Sequence, residues 1–101
     1  MSTRYIAKIE SLPPGEGCVS FEAESNFHQA PSMFMSGELD KFEVIDIDVD
    51  GHSQLFQKDF PAYLFTAPAR MKFQDGKKLN IRLRNTSDLA SKIGIVLEFD
   101  S

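Results

Sequence analysis

The residues best placed by type and spacing to do chemistry are three aspartates, Asp46-x-Asp48-x-Asp50, followed at once by Gly51. Alternate carboxylates ahead of a glycine turn open the calcium loop of an EF-hand, because calcium takes several hard oxygen ligands around a sharp bend. The place of the closing bidentate glutamate is held by Gln57, and the flanks read as strand rather than helix. The same spacing is that of the polar side of a period-two strand. Asp46, Asp48 and Asp50 are therefore expected to form a solvated or salt-bridged strand face, with no cofactor. Metal or nucleophilic chemistry would otherwise draw on Cys18, His28 and His52. No Cys-x-x-Cys or His-x-x-x-His spacing gathers these into the four ligands of a structural zinc site. A Cys18–His28 dyad would hold a thiolate, but a free cysteine more often behaves as a small buried hydrophobe. His28 is expected on a loop or at an interface, and His52, next to the Asp50-Gly51 turn, in solvent.

The remaining motifs point away from catalysis. Gly15, Gly17 and Gly51 do not make a phosphate-cradling loop. Asn85-Thr86-Ser87 matches a glycosylation sequon, but residues of this kind also favour turns, which is the reading taken here. Arg70, Lys72, Lys77, Lys78, Arg82, Arg84 and Lys92 form a basic stretch interrupted only by Asp75 and Asp88. It carries no outward aromatic to stack bases, so it is expected to form a mixed, salt-bridged surface or to pair with an acidic neighbouring strand. Carboxylates are abundant, yet nothing in their spacing marks an acid/base pair. No enzyme and no small-molecule substrate are expected.

Such residues must be positioned by a chain of 101 residues, 42% hydrophobic and 26% charged, which is one domain of ordinary globular composition. Net charge is −4, which disfavours nonspecific binding to nucleic acid. Residues 1–60 hold four Lys/Arg against eleven Asp/Glu, and residues 61–101 hold seven against four. The single cysteine allows no intrachain disulfide and fits a reducing compartment. No signal peptide and no apolar run of the ~20 residues needed to span a membrane is seen. Folding in a cytoplasm is the expectation.

The dominant periodicity is two, the signal of strands with one buried face. Leu79, Ile81 and Leu83 alternate with polar residues, as do Ile93, Ile95, Leu97 and Phe99 with their neighbours, and Asn85 to Asp88 reads as a turn between them. This pair is expected to form a hairpin. Ile45, Ile47 and Val49 alternate with the aspartates up to Asp50-Gly51, a pair suited to a tight hairpin turn. Tyr5, Ala7 and Ile9 alternate with Ile6, Lys8 and Glu10; a Pro-Pro-Gly break follows, and Val19, Phe21 and Ala23 continue. Weaker strands are expected at Arg70–Phe73, Met33–Met35 and Ala62–Thr66. No window shows a helical stripe. Seven or eight short strands argue for a β-sandwich or a small barrel. The expectation is an all-β antiparallel sandwich, jelly-roll-like, over residues 1–101 as a single domain. Ile45, Ile47, Val49, Leu79, Ile81, Leu83, Ile93, Ile95 and Leu97 should face inward.

Apolar residues also crowd segments that look irregular, among them Met33, Phe34, Met35, Leu55, Phe56 and Phe60. Surplus apolar surface suggests contact with another chain. These six are the candidate interface, with Arg82 and Arg84 as its charged part. From Ile45 onward, the strand ending at Asp50-Gly51-His52, the Phe60-Pro61-Ala62 and Ala67-Pro68-Ala69 segments, the strand running into Asn85-Thr86-Ser87 and the closing Lys92–Phe99 strand form a suggestive pattern. It resembles the small jelly-roll or β-sandwich structural proteins of bacterial viruses, in capsid or capsid-decorating roles. The resemblance covers about two-thirds of the chain and departs from that pattern at Glu98-Phe99-Asp100, where glycine is expected. It implies a non-enzymatic virion component, made in a host cytoplasm, whose partners are itself or a major capsid protein. The alternative is a small ligand-binding sandwich module directed at calcium or carbohydrate.

Overall fold

A computed structural model describes residues 3–22, 32–55, 58–65 and 78–100. Eight strands make up most of this: β1 (Thr3–Leu12), β2 (Gly15–Glu22), β3 (Ser32–Gly37), β4 (Phe42–Val49), β5 (His52–Ser53), β6 (Phe60–Pro61), β7 (Lys78–Asn85) and β8 (Ser91–Asp100). They form two antiparallel sheets. The narrow one has the order β1-β8-β3, and the wide one the order β2-β7-β4-β5, with β6 also paired to β4. The chain changes sheet between β1 and β2, between β2 and β3, between β3 and β4, and again between β7 and β8. The closing pair inserts between the earlier strands, β8 between β1 and β3, and β7 between β2 and β4. This is the wound order of a jelly roll, one of the ways an antiparallel chain becomes a double-sheet sandwich.

The core lies between the sheets. Leu79, Ile81 and Leu83 of β7 face Ile93, Ile95 and Leu97 of β8 across it, all six fully buried. Val19 and Phe21 of β2, Met33 of β3, Phe42, Val44, Ile47 and Val49 of β4, and Ala62 after β6 complete the cluster. The alternation expected for β7 and β8 is therefore present, but the two strands are not a hairpin. In a hairpin both apolar rows would lie side by side on one sheet. Here they face each other from different sheets, so residues 86–90 form a corner that crosses the sandwich.

Asn85 builds that corner. Its Nδ2 donates to the carbonyls of Leu12 (3.0 Å) and Leu89 (2.9 Å), and its Oδ1 accepts from Ser87 N (3.0 Å) and the Ser87 hydroxyl (2.7 Å). Because Leu12 ends β1, one buried side chain ties the two crossings, β1 to β2 and β7 to β8, to each other. Asn85 is thus a structural turn residue, as its type suggested.

Strand β4 carries an irregularity. Its pairing with β7 shifts between Val44 and Asp46, which leaves Ile45 as an extra residue. Such a bulge reverses the strand's parity, so Phe42 and Val44 point inward before it, and Ile47 and Val49 after it. Eight of the nine residues expected inward lie in the core cluster; Ile45 is buried but sits at the bulge, outside that cluster. The expected hairpin at Asp50-Gly51 is present, with Val49 opposite His52 and both turn residues at positive φ (50° and 83°). Two local expectations are corrected. Strand β2 begins at Gly15, directly after the Pro-Pro break. Ala62–Leu64 is a 3-10 turn closed by Phe65 N to Ala62 O, which buries Ala62 alone under the core. Residues 70–73, Phe56, His28 and the end of the Ala62–Thr66 segment lie outside the described residues.

Candidate interaction surface

A sandwich has two outer faces, and here they differ in kind. On the wide sheet, register sets polar residues in rows across β2, β7 and β4: Glu16, Arg84 and Glu43, then Cys18, Arg82 and Asp46, then Ser20, Asn80 and Asp48. The Arg84 guanidinium lies 3.5–3.8 Å from carboxylate oxygens of Glu43, Asp59 and Glu16, and Arg82 lies 4.0 Å from Glu16. In the third row Ser20 Oγ donates to Asn80 Oδ1 (2.8 Å), and Asn80 Nδ2 donates to Asp48 Oδ2 (3.1 Å). Acidic β4 and basic β7 are neighbours, so Arg82 and Arg84 are spent on pairs within the chain. Both side chains, expected as the charged part of an interface, stay partly exposed beside these pairs, Arg82 at 51% and Arg84 at 39%. Among the basic residues picked out in the sequence, Lys78, Arg82 and Arg84 lie on this sheet while Lys92 lies on the other, so these four do not form one patch.

The three aspartates have local structural work. Asp46 Oδ1 accepts from Ile47 N (2.9 Å), the backbone amide next to the bulge, and from the Ser53 hydroxyl (2.7 Å), while Oδ2 pairs with Lys58 (3.5 Å). Asp48 Oδ2 accepts from Gly51 N (3.0 Å) inside the turn, and Asp50 Oδ1 accepts from Lys78 N (2.9 Å). Each carboxylate closes a different piece of the β4–β5–β7 framework. Among the described residues no three His, Cys, Asp or Glu side chains converge as an ion site. Cys18, expected in the interior, is instead exposed on the outer face of β2, with Sγ 3.5 Å from Ser20 Oγ. His52 is exposed, as its place beside the turn suggested.

The outer face of the narrow sheet is apolar. Register aligns Ala7, Val96 and Phe34 in one row and Ile9, Gly94 and Ser36 in the next, with Tyr5 opposite Glu98 and Ser11 opposite Lys92 at the two ends. Tyr5 is 63% exposed, Ile9 77% and Phe34 50%. On β1 the more apolar parity is thus the outward one. The inward parity contributes only Ile6 and Leu12 to the core, and Lys8 turns along the open side of the sandwich, its Nζ donating to the Ser20 carbonyl and standing 5.1 Å from the Phe21 ring centroid. Burial of a sheet's inner face does not require apolar residues on its outer face, so Tyr5, Ile9 and Phe34 lack an explanation within the monomer. Other exposed apolar side chains, Tyr63, Leu64 and Leu89, lie on turns rather than on a common sheet face.

Of the candidate interface residues that the structure describes, only Phe34 is on this face. Met33, the neighbouring residue, points the other way and is 1% exposed, so it belongs to the core and not to an interface. Met35, Leu55 and Phe60 pack partly buried against the core, and Phe60 stacks on Phe65 with centroids 6.5 Å apart. Tyr5 and Ile9 were not singled out in the sequence. Their signal was the alternation of Tyr5, Ala7 and Ile9, which fits an inward row equally well.

No protein-family model, curated protein or solved structure matches the chain.

Proposed function

We propose that this chain is a non-enzymatic structural protein of a virion, a capsid-decorating or minor capsid component that works through protein–protein contacts. Its partners are copies of itself or a major capsid protein. The observation that carries the contact reading is the apolar outer face of β1-β8-β3, with Tyr5, Ile9 and Phe34 exposed on a sheet whose other side already fills the core. Exposed contiguous apolar surface on a small domain favours burial against another chain. The jelly-roll strand order and the likeness of the region from Ile45 onward to phage structural proteins support the virion assignment. The test is to follow the chain through density-gradient fractions of particles from its source culture. It should band with assembled particles and be released when Ile9 and Phe34 are both changed to serine. A chain found wholly in the soluble fraction overturns the virion role.

A further inference from the structure

The narrow sheet's outer face has an internal symmetry. Along β8 the outward positions are Lys92, Gly94, Val96 and Glu98, with opposite charges at the two ends, a glycine and a valine between them, and Ile95 at the centre of the run. Neither the Lys92 ammonium nor the Glu98 carboxylate forms an ion pair among the described residues. Gly94 has no side chain of its own and lies under the Ser36 hydroxyl, which stands 2.6 Å from where a methyl group there would sit.

We propose that this face binds a second copy of the chain, face to face, about a two-fold axis that runs perpendicular to β8 at the level of Ile95. The inference rests on the reading of this face as the contact surface and names its occupant. Such an axis lays β1 over β1, β8 over β8 and β3 over β3, with strand directions reversed. Reversal sets Lys92 over the partner's Glu98, and Glu98 over the partner's Lys92. It also sets large over small in each row: Val96 over the partner's Gly94, Phe34 over the partner's Ser36, and Ile9 over the partner's Ala7. A two-fold interface must be self-complementary in this way. The other in-plane axis, along β8, would stack Lys92 on Lys92 and Glu98 on Glu98, and like charges in register oppose association. Charge therefore selects between two packings that shape alone allows.

Edge-to-edge pairing through β1 is the less suited mode, because Lys8 and Glu10 are charges on the inward parity of that strand, a pattern that discourages strand addition. Three strands ~4.8 Å apart give the face a width of about 14 Å and a length of about 20 Å between Lys92 and Glu98. Two such faces cover about 600 Å² together, less than the ~1,200 Å² of a stable specific interface, so the dimer should be weak, transient and concentration-dependent.

Sedimentation of the full chain from about 5 µM to about 500 µM, a range chosen for a weak interface, tests this. A monomer–dimer equilibrium is expected at 0.15 M salt. Lys92→Glu and Glu98→Lys should each weaken dimerisation roughly tenfold, because each turns two symmetric attractions into repulsions. The double variant K92E/E98K should restore it, as should mixing the two single variants. Ile9→Ser, at an exposed position, should also weaken it while circular dichroism stays unchanged. A strictly monomeric chain across the range overturns the proposal, as does dimerisation indifferent to the single charge swaps. Particle association that persists in a monomeric chain and is lost in I9S/F34S would leave the structural-protein reading standing and assign this face to the shell protein instead.

Discussion

Asn85 is a polar side chain in an apolar neighbourhood, and its four hydrogen bonds explain why it can stay there. Its removal takes a donor from the Leu12 carbonyl and an acceptor from Ser87 N, groups at both crossings, while the Leu89 carbonyl keeps the Ser87 and Ser91 hydroxyls. Asn85→Ala should cost about 2–3 kcal/mol, since buried groups left unpaired lose about 1–3 kcal/mol each and partial rehydration recovers some of it. A urea titration should show the lower midpoint with an unchanged slope. Met33 and Phe34 make the complementary case. They are adjacent and both large and apolar, so composition gives them the same role, yet strand geometry sends one into the core and the other out. Met33→Ala should destabilise by about 2–5 kcal/mol as a core truncation. Phe34→Ser should stay within about 0.5 kcal/mol, as surface changes do. The reverse outcome, a large loss at Phe34 and little at Met33, would mean that the β3–β8 register is shifted by one residue, which exchanges the two faces.

At the scale of elements, periodicity disclosed most strands and their inward rows but not the sheet each strand joins. Leu79–Leu83 and Ile93–Leu97 were legible as one-faced strands because each buries a single row. A hairpin and a crossing corner leave the same alternation, and what decides between them is Asn85 reaching Leu12, a contact across 73 positions. The bulge was hidden for a related reason: Val44-Ile45 places two apolar residues in succession, which reads as a break in the pattern rather than as an inserted residue. The aspartates were legible as a strand face, but their use was not, because backbone amides as donors leave no trace in a sequence. Since Asp46, Asp48 and Asp50 each close a separate local contact, calcium at about 5 mM should leave the thermal midpoint unchanged; an ion bound at 100 times its dissociation constant would add about 2.7 kcal/mol. Asp46→Asn, which keeps an acceptor oxygen for Ile47 N, should be near neutral, whereas Asp46→Ala should cost about 1 kcal/mol. A calcium-dependent rise in the midpoint that Asp48→Asn removes would show that these side chains rearrange to gather an ion.

The whole molecule presents one outer face whose side chains are satisfied from within and another whose side chains are not. On the wide sheet the Arg84 guanidinium sits among Glu16, Glu43 and Asp59, partly open to solvent, so screening keeps its pairs weak. On the narrow sheet Tyr5, Ile9 and Phe34 are exposed and outside the core cluster of the described residues, so changing them should cost the fold little and, on the proposed role of this face, cost contact with another chain a great deal. This asymmetry makes stability and association separable. Arg84→Ala should lower the unfolding free energy by less than about 1 kcal/mol and leave association, whether with a second copy or with particles, at its wild-type level. Ile9→Ser should do the reverse, with a denaturation midpoint within error of wild type and clearly weaker association, because aromatic and aliphatic anchors carry most of an interface's energy. Raising salt to 1 M shortens the screening length to ~3 Å. It should therefore reduce the contribution of Lys92 and Glu98 while leaving the apolar contacts of Ile9 and Phe34 in force, so association weakens but does not vanish. If Arg84→Ala disrupted association as strongly as Ile9→Ser, the wide sheet would be a contact surface too, and the division of labour between the two faces would be wrong.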